Sequence, residues 1–328
     1  AMLQIITKVC LIMLVLFAFA IPGFALKKTK LVSGESLLSL ANILLYVCQP
    51  MLSVKAFAID PIPVTGAVLL NFLWVFLLSF SALFLTLGAS YLVFLFMKNP
   101  QEKTQRNLLI FAGTFSNCAF VGIPFIDMFT EGDSEAMMYL MIFTVTFNLI
   151  LWTVGAYLIT QDKKQISLKK AFLNPCTIGC AVGILLFCLP QINVFNMEAV
   201  SELQQIVVYT GNMTAPLSMM IVGVRLADLS PKELFCNGKI YLASAVRLIL
   251  SFGLTYLLIL PFKLNGLFAE TPYVLLAPVI AMSMPPAATI VAFAEKFDGE
   301  KNFAAAAYAT GTILSLFTLP FALLLITL

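Results

Sequence analysis

The sequence contains no histidine, and only 11% of its 328 residues are charged. Soluble domains carry about 25% charged residues, so the chain falls well below them. Without histidine it cannot build the histidine ligand sets of common zinc sites, a Ser-His or Cys-His nucleophile pair, or a histidine proton relay. We therefore expect no catalytic residue, no metal site and no cofactor.

Apolar residues make up 61% of the sequence, and the mean hydropathy is +1.01. These values predict an integral membrane protein that contacts membrane lipid. Nucleic acid is not an expected partner, because no basic stripe is interleaved with aromatic residues. The seven cysteines lie mostly in apolar stretches, where they act as small hydrophobic side chains and not as a disulfide framework.

Apolar stretches long enough to cross a bilayer recur along the chain. A spanning helix needs roughly 20 residues, and the sequence predicts ten such spans. They lie near 4–26, 35–57, 64–97, 106–129, 136–160, 171–190, 200–226, 239–262, 271–295 and 302–327. The first could instead be a signal peptide ending at Ala18-Phe19-Ala20, but the lysines that follow it suit a first helix better.

Lysine and arginine concentrate in alternate predicted loops. The loops around Lys27, Lys98 and Lys163 belong to the basic set, whereas the other set holds only Lys55 and Lys263. By the positive-inside rule the basic set faces the cytoplasm, so both termini are expected to face outward. We expect a multi-pass protein of the cell membrane, and the compact chain suggests a prokaryotic cytoplasmic membrane.

The two halves of the sequence carry matching landmarks. Pro50 and Pro216, in the second and seventh spans, have nearly the same separation as Pro124 and Pro286, in the fourth and ninth. Five spans per half is an odd number, so the halves enter the membrane from opposite sides. Unless the prolines coincide by chance, this predicts an all-α membrane protein with ten transmembrane helices in a 5+5 inverted repeat. The predicted divisions are a first repeat at 1–160, a short cytoplasmic linker at 161–170 and a second repeat at 171–328.

Proline interrupts the fourth span at Pro124 and the ninth at Pro285 and Pro286. Proline lacks an N–H and clashes with the carbonyl four residues earlier. Broken backbone survives in a bilayer only beside protein or a water-filled cavity. Paired breaks in corresponding positions point to the binding site of a secondary transporter. We therefore predict that both spans are broken and meet in one hydrated pocket; the alternative is a pair of simple proline kinks.

Each break creates two kinds of helix end. If Pro124 and Pro285 begin new half-helices, the next amides point unpaired into the gap and suit a carboxylate. Those amides belong to Phe125, Ile126, Ala287 and Ala288. The opposing helix ends expose carbonyls that suit a cation. The geometry therefore permits an anion, a cation or both.

Polar residues near the breaks are the candidates for substrate binding. Asn117 leads, because an amide in mid-span is costly unless it is hydrogen-bonded, and it can donate to a carboxylate. Its alternative role is to brace the broken backbone, and packing is the alternative for most of the others. The candidates are Asn117, Ser116, Pro124, Ser283, Pro285, Pro286, Thr289, Asn148, Gln49 and Asn212.

Arg247, Asp127 and Thr144 are the candidates for coupling or charge compensation. Arg247 lies well inside its span, where a charge is functional by default. It either attracts an anionic substrate or pairs with a lipid headgroup or a loop carboxylate. Asp127 follows Pro124 closely, where it either caps the helix or takes part in proton coupling. Thr144 shares a helix face with Asn148 and is expected to line the gap.

Several segments resemble the auxin efflux carrier family in its compact bacterial form. They are LYVCQP at 45–50, FSN at 115–117, GIP at 122–124, FNLILW at 147–152, NP at 174–175, AVRL at 245–248 and AFAEK at 292–296. The resemblance implies that the fourth and ninth helices cross at mid-membrane. It also implies a scaffold of helices 1, 2, 6 and 7, an elevator-like transport domain of helices 3–5 and 8–10, and often a homodimer. Asn117 holds the position of the family's substrate-binding asparagine, and the implied substrate is a small organic anion.

The expected function is a secondary transporter that moves a small carboxylate by alternating access. The fold also resembles sodium–bile acid symporters, which hold sodium with a carboxylate near the ninth-helix crossover. Here the nearest acid beyond Pro286 is Glu295, so sodium coupling loses support and the coupling ion, H⁺ or Na⁺, stays open. The alternatives are a non-transporting receptor or sensor for an organic anion, a sodium-coupled symporter of the bile-acid type, a channel and an intramembrane enzyme. The enzyme is disfavoured, because the spans hold neither histidine nor a facing pair of aspartates.

Overall fold

The computed structural model describes residues 2–59, 61–99, 102–196, 202–228, 230, 237–296 and 300–327, and these ranges are helical and contain no β-strand. In the first half, the α-helices are α1 (Met2–Ala18), α2 (Ala20–Lys28), α3 (Gly34–Ile43), α4 (Gln49–Ala58), α5 (Gly66–Val93), α6 (Lys103–Thr114), α7 (Ile123–Phe129), α8 (Ser134–Ile150) and α9 (Ala156–Thr160). In the second half they are α10 (Leu168–Phe172), α11 (Pro175–Cys188), α12 (Leu203–Asn212), α13 (Thr214–Ala227), α14 (Gly238–Ala245), α15 (Ser251–Leu264), α16 (Tyr273–Ser283), α17 (Thr289–Lys296) and α18 (Lys301–Thr327). Turns of π-helix run directly into the next α-helix at Leu44–Cys48, Cys118–Gly122, Leu151–Gly155 and Val246–Leu250.

Seven helical runs in the described ranges are long and apolar enough to cross a membrane. They are Ile6–Lys28, Ser36–Ala58, Gly66–Phe96, Ser134–Thr160, Leu203–Ala227, Gly238–Leu264 and Asn302–Leu325. Each coincides with a predicted span, and the long third span is one unbroken helix, as expected. The remaining predicted spans, the fourth, sixth and ninth, contain shorter apolar helices at Cys118–Phe129, Pro175–Cys188 and Tyr273–Ser283. The chain is therefore a multi-pass membrane protein.

Polar side chains cap the helices where the chain turns back. The side chains of Thr65, Asp133 and Asn174 each accept a hydrogen bond from an amide in the first turn of α5, α8 and α11. Pro175 follows Asn174 at the first helical position, where its missing N–H costs nothing. Short polar residues at the loop ends thus set where these three helices begin.

Glycine permits a close contact between two helices that border the breaks. A Cβ added at Gly179 of α11 would lie 2.6 Å from the carbonyl oxygen of Pro50, and one at Gly183 would lie 3.0 Å from Cβ of Phe57. This GxxxG pair therefore packs α11 directly against α4 within the chain. The contact places the sixth predicted span beside Gln49, one residue before Pro50.

Candidate functional site

The two proline breaks meet in space. The amide of Asn117 donates to the carbonyl of Pro285 at 2.7 Å, and the amide of Ala287 donates to the carbonyl of Phe115 at 2.8 Å. Ser116 and Pro286 lie opposite each other as an isolated antiparallel bridge. The segments 115–117 and 285–287 thus form an extended pair that satisfies backbone groups released by both breaks. Both spans are broken, and the alternative of simple kinks is wrong.

The prediction that both prolines lie at or near the start of a new half-helix is wrong for Pro285. Pro124 does lie in the first positions of α7, but a π-helical turn already precedes it. Helical structure resumes at Cys118 and runs through Pro124 to Phe129. The carbonyl of Asn117 closes its first turns by accepting from the amides of Val121 and Gly122, each at 3.1 Å. Pro124 therefore lies inside a helix that has already started.

In the second break, α17 begins only at Thr289, so Pro285 and Pro286 lie in the extended pair. The amide of Ala287, expected to point free into the gap, is bonded to Phe115. The break positions differ from the expectation because pairing between the two extended segments, and not the proline alone, decides where helix stops.

A cavity of about 580 Å³, the central cavity, lies beside the extended pair. Six of the predicted residues line it: Gln49, Ser116, Asn117, Thr144, Asn148 and Thr289. Its apolar wall includes Phe120, Phe147, Leu151 and Trp152, and Ser167, Lys169, Lys170 and Asn174 also border it. Lys169 and Lys170 are exposed and come from a loop of the basic set. The cavity therefore combines polar groups at the breaks with an apolar wall and a cationic edge.

Five side chains of the central cavity hold a buried polar atom without a hydrogen-bond partner in the described part of the chain. The atoms are Gln49 Nε2, Ser116 Oγ, Asn117 Nδ2, Trp152 Nε1 and Thr289 Oγ1. Leaving one such atom unsatisfied costs about 1–3 kcal/mol. All five can donate a hydrogen bond, whereas an ionised carboxylate only accepts. The set is therefore suited to a ligand that brings acceptor oxygens.

Sequence reasoning did not select Trp152, Lys169 or Lys170. Trp152 lies in the π-helical turn Leu151–Gly155, and its ring packs against Phe293 with centroids 5.3 Å apart. A π turn often marks a functional site, but it is not visible in the sequence. In the sequence, Lys169 and Lys170 indicate only the orientation of their loop, through the positive-inside rule.

Asn212, Asp127 and Pro124 lie away from the central cavity. They border a second cavity of about 340 Å³, together with Lys55 and Glu131. Nζ of Lys55 donates to Oδ1 of Asn212 at 2.8 Å. The residues predicted as one site are thus divided between two cavities, because the helix that begins at Cys118 carries Pro124 and Asp127 past the extended pair.

An ion pair lies at the edge of the second cavity. Nζ of Lys8 lies 2.7 Å from Oε1 of Glu131. The hydrogen bond from Lys8, supported by its charge, lowers the pKa of the Glu131 carboxyl. The pair joins α1 to the loop that follows α7.

Ser283, Pro285 and Pro286 belong to the frame of the site and do not line either cavity. Oγ of Ser283 donates to the carbonyl of Val279 at 2.7 Å. A Cβ added at Gly311 of α18 would overlap the ring of Pro286. Glycine at this position lets α18 lie directly against the second break.

Arg247 is fully buried behind the breaks and borders neither cavity. Its guanidinium donates to the carbonyls of Thr114 and Met282 and to Oγ of Ser251. It therefore binds backbone carbonyls at the ends of α6 and α16, in place of the lipid headgroup or loop carboxylate that the sequence suggested. The side chain of Glu295, the acid nearest to the second break, lies outside the described residues.

Comparison with known families agrees with these observations. A family model described as a membrane transport protein matches residues 8–168 and again residues 163–323. Each match covers about half of the chain, and together they include both breaks and every residue that lines the central cavity. None of the curated proteins matches the sequence.

Proposed function

Because the chain belongs to the auxin efflux carrier family of membrane transport proteins, we propose that it moves a small organic anion, a carboxylate, across the membrane by alternating access. The observation that carries this proposal is the set of five unpartnered donors beside the extended pair. An ionised carboxylate accepts hydrogen bonds through two oxygens, so it can satisfy several of these donors at once.

The N-termini of the helices that begin at the breaks add to the attraction for an anion. One helix begins at Cys118 and another at Thr289, and both Ala119 and Thr289 line the central cavity. Each start carries roughly half a positive charge. Lys169 and Lys170 extend the positive potential to the cavity edge, which favours entry of an anion.

The proposed architecture has ten transmembrane helices in a 5+5 inverted repeat, with the fourth and ninth crossing at mid-membrane. Two observations support it: the family model matches the chain once in each half, and the fourth and ninth predicted spans are both interrupted where they touch. The proposed repeats are 1–160 and 171–328, joined by the linker 161–170.

The proposed movement is elevator-like, with helices 3–5 and 8–10 travelling along a scaffold of helices 1, 2, 6 and 7. The central cavity supports this division. Gln49 and Pro175 line it from the second and sixth spans, whereas Asn117, Asn148 and Thr289 line it from the fourth, fifth and ninth. The substrate would thus sit on the moving domain and face the scaffold.

A receptor or sensor that binds the same anion without moving it is the second candidate, since a donor-lined cavity serves either role. We further propose a homodimer in a cytoplasmic membrane, with both termini outside. Proton coupling through Asp127 belongs to the same proposal, because this acid borders the second cavity.

Transport by purified protein in liposomes tests the proposal. Mono- and dicarboxylates are screened first for thermal stabilisation, and each one that binds is then assayed for uptake. We expect at least one to accumulate above the level in empty liposomes. Binding without any flux would favour the receptor, and neither binding nor flux would contradict an organic anion.

Replacing Asn117 by Ala removes one of the unpartnered donors. Hydrogen bonds to charged groups contribute about 1.5–3 kcal/mol, so we expect substrate affinity to fall at least about tenfold. The matched control is Asn71→Ala. Asn71 is also buried, but its amide donates to Tyr139 at 3.0 Å, away from the central cavity. The control should lose thermal stability and keep its affinity; unchanged affinity in Asn117→Ala would remove this residue from the site.

A further inference from the structure

The carboxyl ends of two helices converge behind the breaks. The helix α6 ends at Thr114 and α16 ends at Ser283, each immediately before an extended segment. The last carbonyls of a helix have no partner within it and carry a partial negative charge. Two such ends close together in a membrane interior require a donor or a cation between them.

Arg247 supplies that cation from α14–α15, at the π-helical turn Val246–Leu250. Its Nη1 donates to the carbonyl of Thr114, and its Nη2 donates to that of Met282. Nη1 also lies 3.5 Å from the carbonyl of Gly113. One planar guanidinium thus reaches the ends of both helices at once, which a lysine ammonium could not do with the same geometry.

No carboxylate among the described residues pairs with Arg247. The ion pairs seen there include Lys8–Glu131, Lys27–Asp228 and Lys239–Glu102. Ser251 completes the contact instead, because its Oγ accepts from Arg247 and donates to the carbonyl of Met282 at 3.1 Å. Backbone carbonyl dipoles therefore balance the positive charge of Arg247, and the guanidinium supplies those carbonyls with hydrogen-bond donors.

We infer that Arg247 is a positioning residue, a built-in cation that holds the two breaks in register. Thr114 is three residues before Asn117, and Met282 is three before Pro285, whose carbonyl holds the Asn117 amide. The guanidinium therefore fixes both segments that present Asn117 to the central cavity. The inference rests on the proposed function.

The test uses Arg247→Ala, with millimolar guanidinium chloride added back. We expect substrate affinity to fall about tenfold or more, and guanidinium, but not sodium, to restore a large part of it. Affinity that stays normal without added guanidinium would contradict the inference, as would rescue by sodium. Arg247→Lys should keep the fold and bind substrate with intermediate affinity. It replaces Arg247→Ala in this test if that variant does not fold.

Thr255→Ala is the control for a loss of substrate affinity that comes only from lower stability. Thr255 is buried in α15, one helical turn beyond Ser251, and its hydroxyl donates to the Ser251 carbonyl at 2.7 Å. This variant should lower the melting temperature without responding to guanidinium.

If no carboxylate binds the unsubstituted protein, the proposed function fails. Arg247 is then judged from the melting temperature of Arg247→Ala alone: a rise with guanidinium and not with sodium supports the inference, and no specific rise overturns it.

Discussion

At the scale of single residues, the two tryptophans of the chain have contrasting surroundings. Trp152 lines the central cavity, and its Nε1 has no hydrogen-bond partner in the described part of the protein. Trp74 packs on Phe262 and Phe268, with ring centroids 5.6 and 5.9 Å apart, and borders neither cavity. An indole buried in apolar surroundings normally finds a partner for its N–H. The partner of Trp152 is therefore expected to be the substrate.

Replacing Trp152 by Phe removes this donor and keeps an aromatic ring beside Phe293. We expect substrate affinity to fall at least about tenfold, the value of one hydrogen bond to a charged group, with little change in melting temperature. Titration of the purified protein with substrate measures the change. Trp74→Phe is the control and should bind as the unsubstituted protein does; equal affinities in the two variants would place the Trp152 N–H outside the site.

Residue type and position in the span predicted part of the central cavity. Asn117 is predicted because a buried amide in a membrane needs partners, and Gln49 because it adjoins Pro50; both line the cavity with an unpartnered atom. Trp152 could not be selected on the same ground, because tryptophan is equally common at membrane interfaces. Asn212 met the same criterion as Asn117, but its side chain is bonded to Lys55 in the second cavity.

At the scale of helices, the sequence located the interrupted spans but not the residues that leave the helix. Proline shows that a helix is disturbed, and the extended pairing then selects 115–117 and 285–287. Pairing between segments this far apart in the chain has no local signal. The seam between α18 and the second break was also not predicted, since it depends on Gly311 lying against Pro286.

Replacing Gly311 by Ala tests the seam. The added methyl group would overlap the Pro286 ring, and overpacking of this kind costs about 1–3 kcal/mol. We expect a lower melting temperature and weaker substrate binding, because Pro286 pairs with Ser116 in the break. Gly253 of α15 is the matched control, since a Cβ there would have nothing within 4 Å. Gly253→Ala should leave binding unchanged and be neutral or slightly stabilising; a loss of binding in Gly253→Ala equal to that in Gly311→Ala would contradict the seam.

At the scale of the whole molecule, the two cavities are bordered by different sets of loops, and the extended pair lines only the central one. The central cavity reaches Lys169 and Lys170 of the basic set, and the second cavity reaches Lys55 and Glu131 of the other. Composition and apolar run lengths were sufficient to predict a helical multi-pass chain. The separation into two cavities could not be predicted, because it depends on where the broken helices resume.

Cysteine labelling tests the orientation of the two cavities. Leu173→Cys and Ala215→Cys place one thiol at the central cavity and one at the second cavity, after exposed Cys10 and Cys188, together with Cys236, have been replaced by serine. A membrane-impermeant thiol reagent should label Leu173→Cys from the cytoplasmic side and Ala215→Cys from the outside. Labelling of both from the same side would contradict the positive-inside orientation. Saturating substrate should slow the labelling of Leu173→Cys.

The joint between the breaks is made by main-chain atoms, with Asn117 and Ala287 as donors and Pro285 and Phe115 as acceptors. Such a joint tolerates changes in the side chains that project from it. Side chains around the substrate can therefore change, and the selectivity with them, while the backbone of the site stays the same. An engineer who wishes to change the cargo would leave the prolines and glycines intact and vary Gln49, Asn148 and Thr289.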